Sequence, residues 1–375
     1  MSGKRISTIF VFCVLLIFLA GCALPYMTPP AEYSATEPPT ITPPVPGTAI
    51  PATPTQEAFA REITVENAAQ LSAAQIVPAS NVASITWAKD SLSFGIITQN
   101  SDASGNQVFS AVILDAKTLS TNAFFNAPSG RIAAISPDGK SAAVISADMT
   151  TMDIYDLSDG NRDIVSITPG YLLNNVTFSP NGKLFAVSSN DSWLVSLHSM
   201  PDGSEVKTLT GFETAAPIYD AGFKGSNDAI AWHARATIQT QTISSGKMGG
   251  ATSSEDFMDQ FSLSADGKLL AGASMSTVNG NYIPTVTLWN ASSGSEVRIL
   301  VMTQPVTCLA FSADGKMLAL GTGNDIQVYE VSNGNLLATL SGHSGLPMAV
   351  AFSPDGYSLA SAGQDNQIIL WQVWQ

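Results

Sequence analysis

From about residue 60 onward the chain is a succession of short runs of two kinds, each bounded by Gly, Asn, Asp or Ser. In Val306-Thr-Cys-Leu-Ala-Phe311 large apolar and smaller or polar side chains trade places, the pattern of a strand with two different faces. In Met317-Leu-Ala-Leu320 the apolar residues are uninterrupted, a short apolar run that reads as the next strand. A turn separates the two, and it recurs as Ile135-Ser-Pro-Asp-Gly-Lys140, Phe178-Ser-Pro-Asn-Gly-Lys183, Leu263-Ser-Ala-Asp-Gly-Lys268, Phe311-Ser-Ala-Asp-Gly-Lys316 and Phe352-Ser-Pro-Asp-Gly-Tyr357. Pro presets φ at the first central position, Asp is tolerated at the second, and Gly takes the left-handed conformation that opens a hairpin. Weaker copies, Trp87-Ala-Lys-Asp90 and Phe223-Lys-Gly-Ser-Asn-Asp228, fill the gaps. The residues before the turns are then 87, 135, 178, 223, 263, 311 and 352, a period of 40 to 48 residues.

Each hairpin is followed by a second turn and a third strand, as in Asp325-Ile-Gln-Val-Tyr-Glu330, and then by a fourth, as in Leu336-Leu-Ala-Thr-Leu340. Four strands, labelled A to D, in each of seven units predict an all-β fold: a seven-bladed β-propeller of four-stranded antiparallel blades. The seventh unit ends at Gln375 with its third strand. The run Gln70-Leu-Ser-Ala-Ala-Gln-Ile-Val77 has no unit of its own, so an N-terminal strand is expected to complete the last blade and latch the ring.

The last unit carries Gly342-His343 before its first strand, Ser361 in its second, Asp365 in the next turn and Trp371 in its third. With these residues the chain, over about residues 60–375, resembles the WD40 family. The resemblance implies a His–Asp–Ser–Trp hydrogen-bond network among His343, Asp365, Ser361 and Trp371 that fastens the loop before strand A to strands B and C. Gly-His occurs in no other repeat, and the family's Trp-Asp pair is replaced by Trp371-Gln372 and Trp289-Asn290. The network is therefore expected in blade 7, and packing is expected to hold the others.

The N-terminus is of another kind. Lys4 and Arg5 precede an unbroken apolar run from Ile9 to Leu19, too short to span a bilayer, and then Leu19-Ala-Gly-Cys22. This arrangement resembles the bacterial lipobox and implies a lipoprotein signal peptide over 1–21 with diacylglycerol on Cys22. The protein would then be extracytoplasmic, anchored to the bacterial cell membrane by lipid rather than spanning it, at the cell surface or in the periplasm. Residues 25–56 hold ten Pro and seven Thr, so 22–56 reads as a disordered linker and 57–375 as the propeller. With Cys13 removed and Cys22 lipidated, Cys308 is left alone, and no internal disulfide can form.

Charge narrows the partners. The formal net charge is −14, and −16 once Lys4 and Arg5 leave with the signal, which opposes nucleic-acid binding. The histidines are His198, His233 and His343; no zinc spacing, nucleophile elbow or phosphate-cradling loop occurs, so no metal, cofactor or catalytic residue is assigned. Asp138, Asp266, Asp314 and Asp355 recur with the period and are explained by the turn. Departures from the period are the better candidates for function. Two connections between strands B and C are long, at Ser101–Gln107 and Ser276–Pro284, and the segments before strand A include 211–217 and 252–257. Phe212, Asn281 and Tyr282 are the candidate partner contacts, with Glu213 and Asp256 as rim charges. The expected role is a non-catalytic, monomeric protein-interaction scaffold for a protein partner or envelope polymer. The alternative is a propeller enzyme of lactonase or glycan-hydrolase type, or a small-ligand binder, working in the central channel.

Overall fold

The computed structural model describes residues 59–374, apart from 159–161, 190, 193, 211–219, 224–227, 235–236, 254–257 and 279–280. Seven antiparallel sheets follow one another along the chain and form a seven-bladed propeller. Blade 6 shows the plan: strand A is Val306–Phe311, B is Met317–Thr322, C is Asp325–Glu330 and D is Leu336–Ser341. Successive strands reverse direction, so the A–B and C–D turns lie at one end of every blade. The B–C and D–A connections lie at the other.

The recurring turn is a hydrogen-bonded unit. In blade 6 the Ser312 hydroxyl donates to Asp314 (2.7 Å) and accepts the Met317 N–H (2.9 Å), while the Lys316 N–H donates to the same carboxylate oxygen (3.0 Å). Gly315 has φ +71°, the left-handed value that closes the turn. Ser136, Ser264 and Ser353 repeat the arrangement with Asp138, Asp266 and Asp355, and Ser179 does so with Asn181.

The core lies between blades, not within them. Strand B of blade 6 is buried at every position, because each of its faces meets a neighbouring blade, and this explains its unbroken apolar run. One face of it packs with Trp371, Phe352 and Leu359 of blade 7, the other with Val286, Leu288 and Leu300 of blade 5.

The ring closes through the N-terminal segment. Ser72–Pro78 pairs antiparallel with strand C of blade 7 (Gln367–Trp374), with Ile76 opposite Ile369, and supplies that blade's outer strand. Gln70 and Leu71, expected within this strand, instead belong to the turn before it. Ala68–Gln70 forms a short 3-10 helix because the Asn67 side chain folds the chain back, accepting the Thr64 N–H and donating to the Glu62 carbonyl (both 2.8 Å). Ile63, Ala68 and Leu71 are buried against blades 6 and 7, and Ala60–Arg61 adds a short strand opposite Trp374 and Val373.

The two long B–C connections are a second correction. In blade 5 strands Leu269–Val278 and Asn281–Asn290 stay paired to their ends, with Ser276 opposite Ile283, Thr277 opposite Tyr282 and Val278 opposite Asn281. Ser101 pairs with Gln107 in blade 1. These segments are therefore extensions of hairpins, with strands of nine or ten residues where blades 2, 3, 4, 6 and 7 have B strands of five or six. Cross-strand hydroxyl bonds from Ser274 and Ser276 to Thr285, at 3.2 and 2.9 Å, reinforce the blade 5 extension.

Candidate functional site

The innermost strands of blades 1 to 5 line a cavity of about 520 Å³ in the central channel. Its walls carry Ser84, Thr86, Thr177 and Ser262 among Ala, Gly, Ile, Phe and other apolar residues, and none of the lining side chains is ionisable. Among the described residues no three His, Cys, Asp or Glu side chains gather as metal ligands. The lining of this cavity therefore offers hydroxyls and apolar surface, and among its residues there is no carboxylate, imidazole or amine for proton transfer.

At the B–C and D–A end, the two long hairpins project beyond the other blades. Tyr282, on the blade 5 hairpin, is 75% exposed, and Asn281 pairs through its backbone with Val278. Phe212, Glu213 and Asp256 lie outside the described residues, as does Cys22. The structure thus brings Asn281 and Tyr282 together on one projecting element.

In blade 7, His343 meets both oxygens of Asp365 through Nδ1 at 3.0 Å and Ser361 Oγ through Nε2 at 2.8 Å. The Trp371 indole donates to the same Ser361 oxygen at 2.8 Å, and the Ser344 N–H donates to Asp365 at 2.9 Å. An indole N–H can only donate, so Ser361 accepts it and turns its own proton to His343 Nε2. The imidazole proton then lies on Nδ1, facing the carboxylate. Burial works against the Asp365 charge, but the Ser344 N–H and His343 outweigh it and hold the carboxyl below its ordinary range. The side chains of His343 and Asp365 are almost wholly buried, so this group fastens the D–A loop to strands B and C and is closed to substrate.

A second histidine network, absent from the sequence expectations, ties blade 3. The Tyr171 hydroxyl donates to Ser196 Oγ (2.6 Å), Ser196 meets His198 Nε2 (2.8 Å), and His198 Nδ1 donates to the Gly203 carbonyl (3.0 Å). His198 stacks on Phe185 with ring centres 5.1 Å apart. Blade 3 is thus held by a polar relay as well as by packing. The signal available in the sequence was the Ser196-Leu-His198 spacing, two residues that share one face of a strand.

Cys308 is buried, and that burial pushes its thiol up to about 12, which makes it inert as a nucleophile.

The sequences of known proteins agree with this architecture. Residues 294–330 and 334–372 match the family model described as WD domain, G-beta repeat. These two stretches, from the outer strand of blade 5 to strand C of blade 7, are similar to WD40 repeats. Each matched stretch begins at the outer strand of one blade and runs through strands A, B and C of the next, so a WD40 repeat is offset from a blade by one strand. The offset is the reason that the last repeat needs an outer strand from the N-terminal segment. Relatives include an uncharacterized WD repeat-containing protein of Synechocystis, 30% identical over 167 residues, 44% of this chain and 45% of that protein. WD repeat-containing protein 18 of Danio rerio is 31% identical over 119 residues, 30% of this chain and 28% of the relative. The intraflagellar transport protein 122 homolog of Mus musculus is 44% identical over 63 residues, 17% of this chain and 5% of the relative. The chain spans less than half the length of each of these relatives.

Proposed function

We propose that this WD40 propeller is a non-catalytic protein-interaction scaffold, exported and held outside the cytoplasm by lipid on Cys22. The face bearing the B–C hairpins receives a protein partner or envelope polymer. WD40 propellers generally mediate protein–protein contacts, and the observation that carries the reading here is the pair of hairpins prolonged in blades 1 and 5. Tyr282 at 75% exposure is the kind of large, rigid side chain that anchors an interface. The lining of the described cavity, which carries no ionisable side chain, supports this reading over a hydrolase centred in that cavity. A monomer with the other face turned to its membrane is the working arrangement.

The test is capture of the tagged chain from gently solubilised native membranes, beside Tyr282→Ala and Phe212→Ala variants. A stoichiometric partner lost in either variant supports the scaffold and its face. Recovery of the same partner at the same yield from both variants removes that face from the proposal. A second reading, a small-ligand site in the channel, draws on a cavity volume within the usual range for ligand pockets. A thermal-shift screen with uncharged small molecules tests it, and a Thr86→Leu change would abolish any shift that arises there.

A further inference from the structure

The end of the ring opposite the hairpins carries an apolar patch at one place. Phe59 is 65% exposed, Leu92 70%, and Tyr357 and Trp374 each 41%. The other exposed large apolar side chains among the described residues lie on outer strands or at the B–C and D–A end. The four belong to neighbouring segments. Ala60, next to Phe59, pairs with Trp374; the Ile63 N–H donates to Gly356 at 2.8 Å, beside Tyr357; and the Asp355 N–H donates to Ser91 at 3.0 Å, beside Leu92. All therefore surround the short strand Ala60–Arg61. Strand C of blade 7 runs from Gln367 at the hairpin end to Trp374 at this end, so Ala60, paired with Trp374, also lies at this end.

Trp, Tyr and Phe side chains favour the boundary between headgroups and acyl chains, where an apolar ring and a polar edge are both satisfied. The charges around them are mixed, with Arg61 and Lys89 beside Glu62, Asp90 and Asp355, so the patch has no cationic field to select anionic lipid. We infer that the A–B and C–D end of blades 7 and 1 is a membrane-contact surface. Phe59, Leu92, Tyr357 and Trp374 rest in the bilayer interface, and the hairpin face points away from the membrane. The inference rests on the anchored reading, because a tether at Cys22 is what keeps so small a patch at a bilayer.

The test separates the two ideas. A chain starting at Cys22, which retains every described residue, is coupled through that thiol to maleimide-bearing lipid in phosphatidylcholine vesicles. Buried Cys308 does not compete for the reagent. Bromine atoms placed on the acyl chains near the headgroup quench tryptophans that touch the interface. Trp87, Trp232, Trp289 and Trp371 are buried, which leaves Trp374 as the described tryptophan within reach. The expected result is quenching that disappears in Trp374→Phe and in a Phe59→Ser, Leu92→Ser, Tyr357→Ser variant, and that raised salt leaves unchanged. Leu92→Ser alone, at an exposed turn, reads a partial loss if the triple variant melts early. Tethered protein that is not quenched, or quenching that survives the triple change, overturns the contact. The mass of the N-terminal peptide of protein purified from native membranes tests the anchor separately: an unacylated Cys22 overturns the anchor and leaves the quenching result standing.

Discussion

His198 of blade 3 stands where Trp371 stands in blade 7. Each lies opposite the third residue after the glycine of its A–B turn, His198 opposite Phe185 after Gly182 and Trp371 opposite Leu359 after Gly356. Both aim a ring nitrogen at a serine hydroxyl, Ser196 on the same strand and Ser361 on the adjacent one. One position thus serves a single purpose, the linking of the loop before strand A to the sheet, with two different chemistries.

The blade 3 relay should contribute to stability in proportion to the groups it leaves unpaired. Tyr171→Phe removes one donor to Ser196, and a loss of about 1 kcal/mol is expected. His198→Ala also strips a ring from Phe185 and a donor from Gly203, for an expected loss of roughly 2–4 kcal/mol. Urea unfolding of both variants measures the difference, and equal midpoints for wild type and His198→Ala would refute a structural role.

Asp365 should make the blade 7 network sensitive to acid. A carboxyl held below its unfolded value of about 3.9 adds stability above that pH and loses it as pH falls through the folded value. Asp365→Asn is expected to melt earlier than wild type at neutral pH. The gap between the two should be constant above about pH 5 and narrow below about pH 4. A gap that stays constant down to pH 3 would mean that the Asp365 charge takes no part.

Blades 4 and 5 meet through backbone at Gly250 and Gly294. A Cβ on Gly250 would lie 2.1 Å from the Gly294 nitrogen, and one on Gly294, at φ +72°, would lie 2.1 Å from the Ala251 carbonyl oxygen. Gly250→Ala must push the blades apart, with a cost of roughly 1–3 kcal/mol. Calorimetry should show a lower melting temperature, whereas Gly105→Ala, where nothing lies within 4 Å, should bear only the strain of its φ of +84°.

Deleting residues 57–80 removes the outer strand of blade 7 and the buried side chains of Ile63, Ala68 and Leu71. The expected outcome is loss of the cooperative melting transition, because both the blade 6 and the blade 7 cores open. A deletion variant with an unchanged melting temperature would show that the latch is dispensable.

The thiol of Cys308 should ignore disulfide reagents in the native protein and react at once in denaturant, since burial disfavours its thiolate. Labelling of the folded protein at the rate of an exposed thiol would contradict its placement.

The blades were legible in the chain because their causes are local. A Ser-x-Asp-Gly turn supplies its own hydrogen bonds and its left-handed residue, and an apolar run such as Met317–Leu320 marks the strand that follows it, whose burial on both faces the neighbouring blades explain. The number of blades followed from repetition, and the pairing of Ser72–Pro78 with strand C of blade 7 supplies the outer strand that the repeat plan calls for. The two hairpin extensions were half legible. Asn279-Gly280 is a strong hairpin signal, but a run containing Pro284 and several polar residues also reads as a loop, and cross-strand bonds to Thr285 decide between the two.

What the sequence alone could not decide were relations between residues far apart in the chain. The Tyr171–Ser196–His198 relay depends on a loop folding over a strand two strands away, and no period marks it. Phe59, Leu92, Tyr357 and Trp374 look unrelated along the chain, and closure of the ring sets them around the short strand Ala60–Arg61. The channel wall was likewise settled by which side of each strand A faced inward. Local turn chemistry and periodic burial are written residue by residue, whereas a surface or a channel exists only once the ends of the chain have met.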